Sequence, residues 1–290
     1  MRINILNSPR LSELKRKRRK VVVSKILFCL FIIGGVLASL AYLFRIERLN
    51  IQVVEAKGNK IIDTRLIAEI AEKEMAGNYL WLFPKTNIFF YPKEKIKSSL
   101  YENFKRLRNI EIEMGSGAIL VVSTEERMPK YTWCGETLPT SRNDSQDCYF
   151  LDETGYIFGR APYFSGEVYF KFYGATDSKE NTPIGSYFLA DIFQKLILFK
   201  EALSHMGLKP VVLYKDKEEN EDIKIFLSSA NTLPNAPEII FKADSDLEII
   251  AENLQTALTT EPLQSNFKNK YSSLLYIDLR YGNKVYYKFK

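Results

Sequence analysis

A chain of 290 residues with 46% hydrophobic and 26% charged residues can bury a sizeable core, which excludes a largely disordered protein and leaves room for one or two domains. Its net charge of +6 is unevenly spread: of 41 Lys/Arg and 35 Asp/Glu, nine and one fall within residues 1–25, leaving 32 and 34 and a net of −2 for the rest. A nearly neutral bulk argues against nucleic-acid binding.

The tail, residues 1–25, holds the basic run Lys15–Lys20 and precedes Ile26–Phe44, 19 residues without a charge. At about 1.5 Å per residue such a helix reaches roughly 28 Å, close to the roughly 30 Å of bilayer hydrocarbon. One transmembrane helix is therefore predicted. Its basic flank places the N-terminus in the cytoplasm and the remainder outside. A cleavable signal peptide is the rival, with Ser39-Leu40-Ala41 as a small-x-small site. The apolar run is longer than a usual signal core, and cleavage would leave Tyr42-Leu43-Phe44 at a new terminus. An uncleaved anchor is favoured.

Past the span, Leu49, Ile51 and Val53 alternate with Asn50 and Gln52, predicting a strand that turns at Gly58-Asn59. Asp63 or Thr64 caps a helix with Leu66, Ile67, Ile70, Ala71 and Met75 on one face and Gly77 as its stop. The aromatic stretch Tyr79–Tyr91 has two readings: contact with lipid headgroups beside the span, or packing under a long loop. Pro92 opens a second helix bearing Ile96, Leu100 and Phe104. Ile110, Ile112 and Met114 alternate with Glu111 and Glu113. Gly115-Ser116-Gly117 turns the chain, and Ile119–Thr124 returns as a strand. Residues 45–127 thus read β-α-α-β-β.

Residues 128–290 read as a mixed α+β unit with a predominantly antiparallel sheet. Tyr131–Cys134 and Cys148–Leu151 look like paired strands around a polar loop. Cys134 and Cys148 either form a disulfide clamping that hairpin or remain two thiols, while Cys29 fills apolar space in the span. Asp152-Glu153-Thr154-Gly155 reads as a solvated turn before Tyr156-Ile157-Phe158. A strand carries Val168, Phe170 and Phe172, and a helix spans Ser186–Met206. Strands follow at Val211–Tyr214, Ile223–Leu227 and Glu238–Phe241. Ser245 to Glu248 reads as a capping box opening a helix with Leu247, Ile250, Leu254 and Leu258. Tyr276–Tyr281, the hairpin signal Gly282-Asn283 and Lys284–Phe289 close the chain as a final hairpin.

No constellation for catalysis emerges. His205 is the only histidine, so neither a histidine-based zinc site nor a Ser-His-Asp triad is expected. Cys134 and Cys148 lack CxxC spacing, and Gly115-Ser116-Gly117 lacks the Lys-Ser/Thr of a phosphate loop. Asp278 and Arg280 stand two apart on one strand face and are expected to pair structurally. The expectation is a non-enzyme with no catalytic, cofactor or metal site, no cofactor and no small-molecule substrate.

The strand ending Val54-Glu55-Ala56-Lys57-Gly58-Asn59-Lys60, two helices, a hairpin and Thr124-Glu125-Glu126-Arg127-Met128-Pro129 resemble a POTRA module. The segment Tyr149–Phe158 and above all Tyr276-Ile277-Asp278-Leu279-Arg280-Tyr281 are similar to the FtsQ/DivIB cell-division family. The resemblance runs along the whole chain. It implies a cytoplasmic tail (1–25), one span (26–44), a POTRA domain (45–127) and an FtsQ-type β domain (128–290). It also implies a septal scaffold in the cell membrane that binds other membrane-anchored division proteins, FtsB- and FtsL-like coiled-coil partners among them, upstream of peptidoglycan synthesis. The partner site it implies is Gly282, Asn283, Lys284, Val285, Tyr286, Tyr287 and Phe289. There a partner adds a strand to the edge while Tyr286, Tyr287 and Phe289 grip it. The alternatives are an ordinary edge strand guarded by Lys284 and Lys288, a POTRA-bearing secretion or envelope-assembly subunit, and a membrane-anchored cell-wall enzyme. Deleting Lys284–Lys290 is expected to leave a folded ectodomain.

Overall fold

The protein is described here from a computed structural model covering residues 9–139, 146–164, 167–178, 182–216, 222–229, 233 and 235–290; Arg2 of the basic tail lies outside them. The chain divides into two compact units, Met1–Glu126 and Arg127–Lys290.

The first unit begins with α1 (Pro9–Phe44), a 36-residue helix that carries the apolar run Ile26–Phe44 and, unbroken on its N-terminal side, the basic run Lys15–Lys20. Its large apolar side chains, Leu27, Phe28, Phe31 and Ile33 among them, are exposed. Among the described residues it is the one helix long and apolar enough to cross a membrane. Apolar side chains uncovered over that length suit a lipid surround rather than water.

A 3-10 turn, Glu47–Leu49, leads to β1 (Val53–Lys57) and α2 (Thr64–Glu74). There follow the short β2 (Asn78–Tyr79) and β3 (Phe83–Pro84), α3 (Lys93–Asn103), β4 (Leu107–Met114) and β5 (Ile119–Glu126). β1 starts four residues later than its alternation predicts. The backbone before it is engaged elsewhere: Ile51 N donates to Thr86 O (2.8 Å), and Leu49 O accepts from Ile88 N (3.0 Å). The sheet order is β1-β5-β4, with β1 parallel and β4 antiparallel to β5. Asp63 caps α2, accepting from Arg65 N at 2.9 Å. Ile67 and Ala71 of α2, four apart on one helical face, and Ile96 and Leu100 of α3, likewise four apart, meet Ile110, Ile112, Leu120 and Val122 of the sheet in one core.

The end of β5 is tied back to the loop after β1. The buried Glu126 carboxylate accepts the N–H groups of Lys60 (2.7 Å), Ile61 (2.9 Å) and Ile62 (3.0 Å). Desolvation pushes this carboxyl up, but the three N–H donors outweigh it and hold the group below its usual value. Gly58, at φ +84°, permits the turn: a Cβ there would stand 2.2 Å from Thr124 O.

The second unit contains β6 (Tyr131–Trp133), β7 (Tyr149–Leu151), β8 (Ile157–Arg160), β9 (Lys171–Tyr173) and α4 (Phe193–His205). It continues with β10 (Pro210–Lys215), β11 (Asp222–Leu227), β12 (Glu238–Lys242) and α5 (Leu247–Leu258). α6 (Leu263–Lys270), β13 (Leu274–Tyr281) and β14 (Lys284–Phe289) end it. Among the described residues, nine strands form one sheet in the order β14-β13-β12-β11-β10-β9-β6-β7-β8. It is largely antiparallel, with parallel pairs at β13–β12, β10–β9 and β9–β6. Phe172, Leu213, Ile225, Phe241 and Ile277 share one core with Phe193, Leu196 and Leu203 of α4 and Ile250 and Leu254 of α5. The fold is therefore α+β, with an N-terminal apolar helix and a mixed sheet.

Several expectations are corrected here. The helix expected from Ser186 starts at Phe193, because the backbone of 186–188 is used laterally: Ile157 N donates to Ser186 O (2.9 Å) and Phe188 N to Gly155 O (3.0 Å). The strand expected from Val168 is limited to β9, and Val168 is exposed. The cap of α5 is Asp246 rather than Ser245; its Oδ1 accepts from Glu248 N (3.0 Å) and Ile249 N (3.3 Å). The turn at Asp152 is solvated only in part: Asp152 is buried, while Glu153 and Thr154 are half-buried. Asp152 is 1% exposed, pairs with Arg127, and accepts from Thr154 N (2.8 Å) and Tyr156 N (3.1 Å). Arg127 also lies over the Tyr156 ring, 4.1 Å from its centroid. Of the two alternatives left open for Cys134 and Cys148, the disulfide is the one the structure contains. It closes the segment between β6 and β7, of which residues 140–145 lie outside the described residues.

Candidate interaction surface at the terminal sheet edge

The last hairpin sits at one end of the nine-strand order. β14 is hydrogen-bonded to β13 on one side, and no strand flanks it on the other among the described residues. The edge is thus a row of backbone donors and acceptors available to another strand. Gly282-Asn283 connects the two strands, and Tyr281 pairs with Lys284, Asp278 with Tyr286, Ile277 with Tyr287 and Tyr276 with Lys288.

That register divides the expected site residues between two faces, because side chains alternate along a strand. Val285, Tyr287 and Phe289 turn inward and pack against the main core. Lys284, Tyr286 and Lys288 are exposed on the opposite face, and Gly282 and Asn283 are exposed in the turn. Of the three residues expected to grip a partner, the structure therefore sets Tyr286 on the exposed face and Tyr287 and Phe289 on the core-facing one. Tyr286 is free to grip a partner, while Tyr287 and Phe289 are already engaged with the fold. Tyr281, which is not among the expected site residues, joins this surface. Its ring stands edge-on to Tyr286 at 5.3 Å, and both residues are about half exposed. The signal was present in the two-residue turn, which sets Tyr281 opposite Lys284 and diagonal to Tyr286.

Beneath the tyrosines lies a charged brace. Arg280 donates from Nε to Asp278 Oδ1 (2.9 Å), from Nη2 to Asp278 Oδ2 (2.6 Å) and from Nη1 to Asp222 Oδ2 (2.7 Å). One guanidinium therefore links β13 to β11 across β12. Desolvation would raise the Asp278 carboxyl, but the hydrogen bonds and charge of Arg280 overcome it and hold the group below the usual carboxylate range. The bonds from Asp278, first, and then Asp222 push Arg280 further up. A second pair, Lys224 Nζ to Glu238 at 3.4 Å, continues the pattern on β11 and β12. The brace ties β13 to β11 beside the terminal hairpin.

Chemically, the surface offers main-chain pairing, two aromatic rings and the two lysines Lys284 and Lys288. His205 is the last residue of α4 and exposed. Among the described residues, no three His, Cys, Asp or Glu side chains gather to hold a metal. No protein-family model matches the chain, and no curated protein matches its sequence.

Proposed function

We propose that this chain is a membrane-tethered, non-enzymatic scaffold of the bacterial division machinery, of the FtsQ/DivIB kind. In this reading α1 crosses the cell membrane once with its basic end in the cytoplasm, the unit up to Glu126 serves as a POTRA module, and the unit from Arg127 is the partner-binding domain. Membrane-anchored coiled-coil proteins of the FtsB and FtsL type add a strand to β14 and are thereby gathered at the septum. The observation that carries the reading is the position of β14: the strand following Tyr276–Tyr281, the segment most similar to that family, is the open end of the sheet. Strand addition draws affinity from main-chain bonds and selectivity from alternate side chains. Tyr281 and Tyr286 supply that selectivity on the exposed face. The neutral charge balance of residues 26–290 suits a protein-binding part, and the positive charge is concentrated where an anchored tail meets anionic lipid. A fluorescent protein fused to the N-terminus of the full chain is expected to concentrate at midcell in dividing cells. Uniform labelling of the membrane would count against a division role and favour envelope assembly.

A further inference from the structure

The segment between α2 and α3 is latched to the exit of α1. The buried side chains of Asn50 and Asn87 close the helix end: Asn50 Nδ2 donates to Phe44 O (2.9 Å) and Ile46 O (2.8 Å), and Asn87 Nδ2 donates to Phe44 O (3.3 Å). The Ile51–Thr86 and Ile88–Leu49 backbone bonds add two rungs. The Phe44 ring meets Phe83 and Phe90 edge-on, at 5.7 and 5.2 Å. This latch fixes the height of the segment at the last turn of the apolar helix. A bilayer crossed by that helix passes there from hydrocarbon to headgroups.

What the segment presents outward is apolar. Trp81 is 90% exposed, Leu80 78% and Phe89 66%, continuing the exposed Tyr42 of the helix itself. Tyr79–Leu82 is a tight turn closed by Leu82 N to Tyr79 O at 3.0 Å. Its two central residues, Leu80 and Trp81, both lie in the left-handed region, at φ +49° and +59°. Such positions favour Asn and Gly, since a Cβ is disfavoured there. A turn that keeps Leu and Trp at its tip sacrifices backbone ease and gains no core contact for them in return. Strain of this kind points to use of the side chains themselves. Arg45 and Arg48, also exposed, lie just past the helix end.

We propose that this turn is a second membrane contact: Leu80, Trp81 and Phe89 enter the headgroup–acyl boundary of the bilayer that α1 crosses, and Arg45 and Arg48 face its lipid phosphates. Tryptophan suits that boundary because its ring is apolar and its N–H finds a polar partner. The contact fixes the orientation of the first unit against the membrane. It rests on α1 spanning and is independent of any division role.

The test uses the full chain reconstituted into phosphatidylcholine–phosphatidylglycerol vesicles that carry nitroxide labels either near the headgroup or deep in the acyl chains. The chain has two tryptophans. Trp133 is buried, with its Nε1 bonded to Gly174 O at 2.9 Å, so the lipid-quenchable emission reports Trp81. The shallow label is expected to quench more than the deep one, aqueous iodide is expected to quench little, and Trp81→Phe should remove most of the lipid-quenchable signal. Quenching by iodide without quenching by lipid would place the turn in water and overturn the proposal. Protection from both would place a protein, a second copy or another chain, over the turn and overturn it equally. An alkaline carbonate wash beforehand separates the two claims. A chain that washes off refutes the span and the contact together; a retained chain with Trp81 in water refutes the contact alone.

Discussion

Replacing Tyr281 and Tyr286 together by alanine should weaken capture of the proposed partner by roughly a thousandfold, with the second unit still folded. Exposed tyrosines at the centre of an interface are frequent hot spots at about 2 kcal/mol or more each, and about 1.4 kcal/mol is a factor of ten in affinity. Both rings are about half exposed and touch each other rather than the core, so their loss removes grip without opening a cavity. Surface changes of this sort usually shift stability by no more than about 0.5 kcal/mol. A thermal melt that matches the parent protein, combined with a failed pull-down, is the expected pair of results. The deletion of Lys284–Lys290 is a poorer probe than the sequence suggests. It also strips Val285, Tyr287 and Phe289 from the core they cover, and so mixes loss of grip with loss of fold.

Arg280→Ala should be the most destabilising single change on this surface, by about 3 kcal/mol, because it leaves the buried Asp278 and its neighbour Asp222 without their shared cation. Urea unfolding of the second unit should show an earlier midpoint with an unchanged slope. Arg280→Lys should restore only part of the loss, since an ammonium cannot hold two carboxylates through a planar fork. The pH dependence follows from Asp278. Its folded value lies below the ordinary carboxylate value, so the stabilisation is fully present above about pH 4 and is lost as pH falls through the folded value. In Asp278→Asn that acid limb should shrink, at a lower stability near neutrality.

Periodicity made the regular parts of the molecule legible. Ile110 and Ile112 alternate with Glu111 and Glu113 and do line one face of β4, while Ile96 and Leu100, four apart, do face the core from α3. What alternation could not show is where backbone groups are claimed by distant segments. Residues 49–51 fit a strand by pattern, yet their bonds go to residues 86–88. The apolar run beginning near Ser186 fits a helix, yet its first residues pair with Ile157 and Gly155, and Phe188 is buried. The open edge was legible from the turn signal Gly282-Asn283, but the division of its side chains between core and solvent needed the register. Tyr287 and Phe289 look as adhesive as Tyr286 until the pairing with Ile277 turns them inward. The brace from Arg280 to Asp222 joins residues 58 positions apart, and only the sheet order brings them together.

The central claim is that a partner binds by extending the sheet at β14, and amide hydrogen exchange along residues 274–290, with and without the membrane-anchored partner, tests it most directly. In the free protein the β14 amides that point away from β13 should exchange rapidly. Partner binding is predicted to slow those amides selectively and to leave the already bonded amides of β13 nearly unchanged. Binding of the partner with the outward β14 amides still exchanging at their free rate would contradict strand addition at this edge.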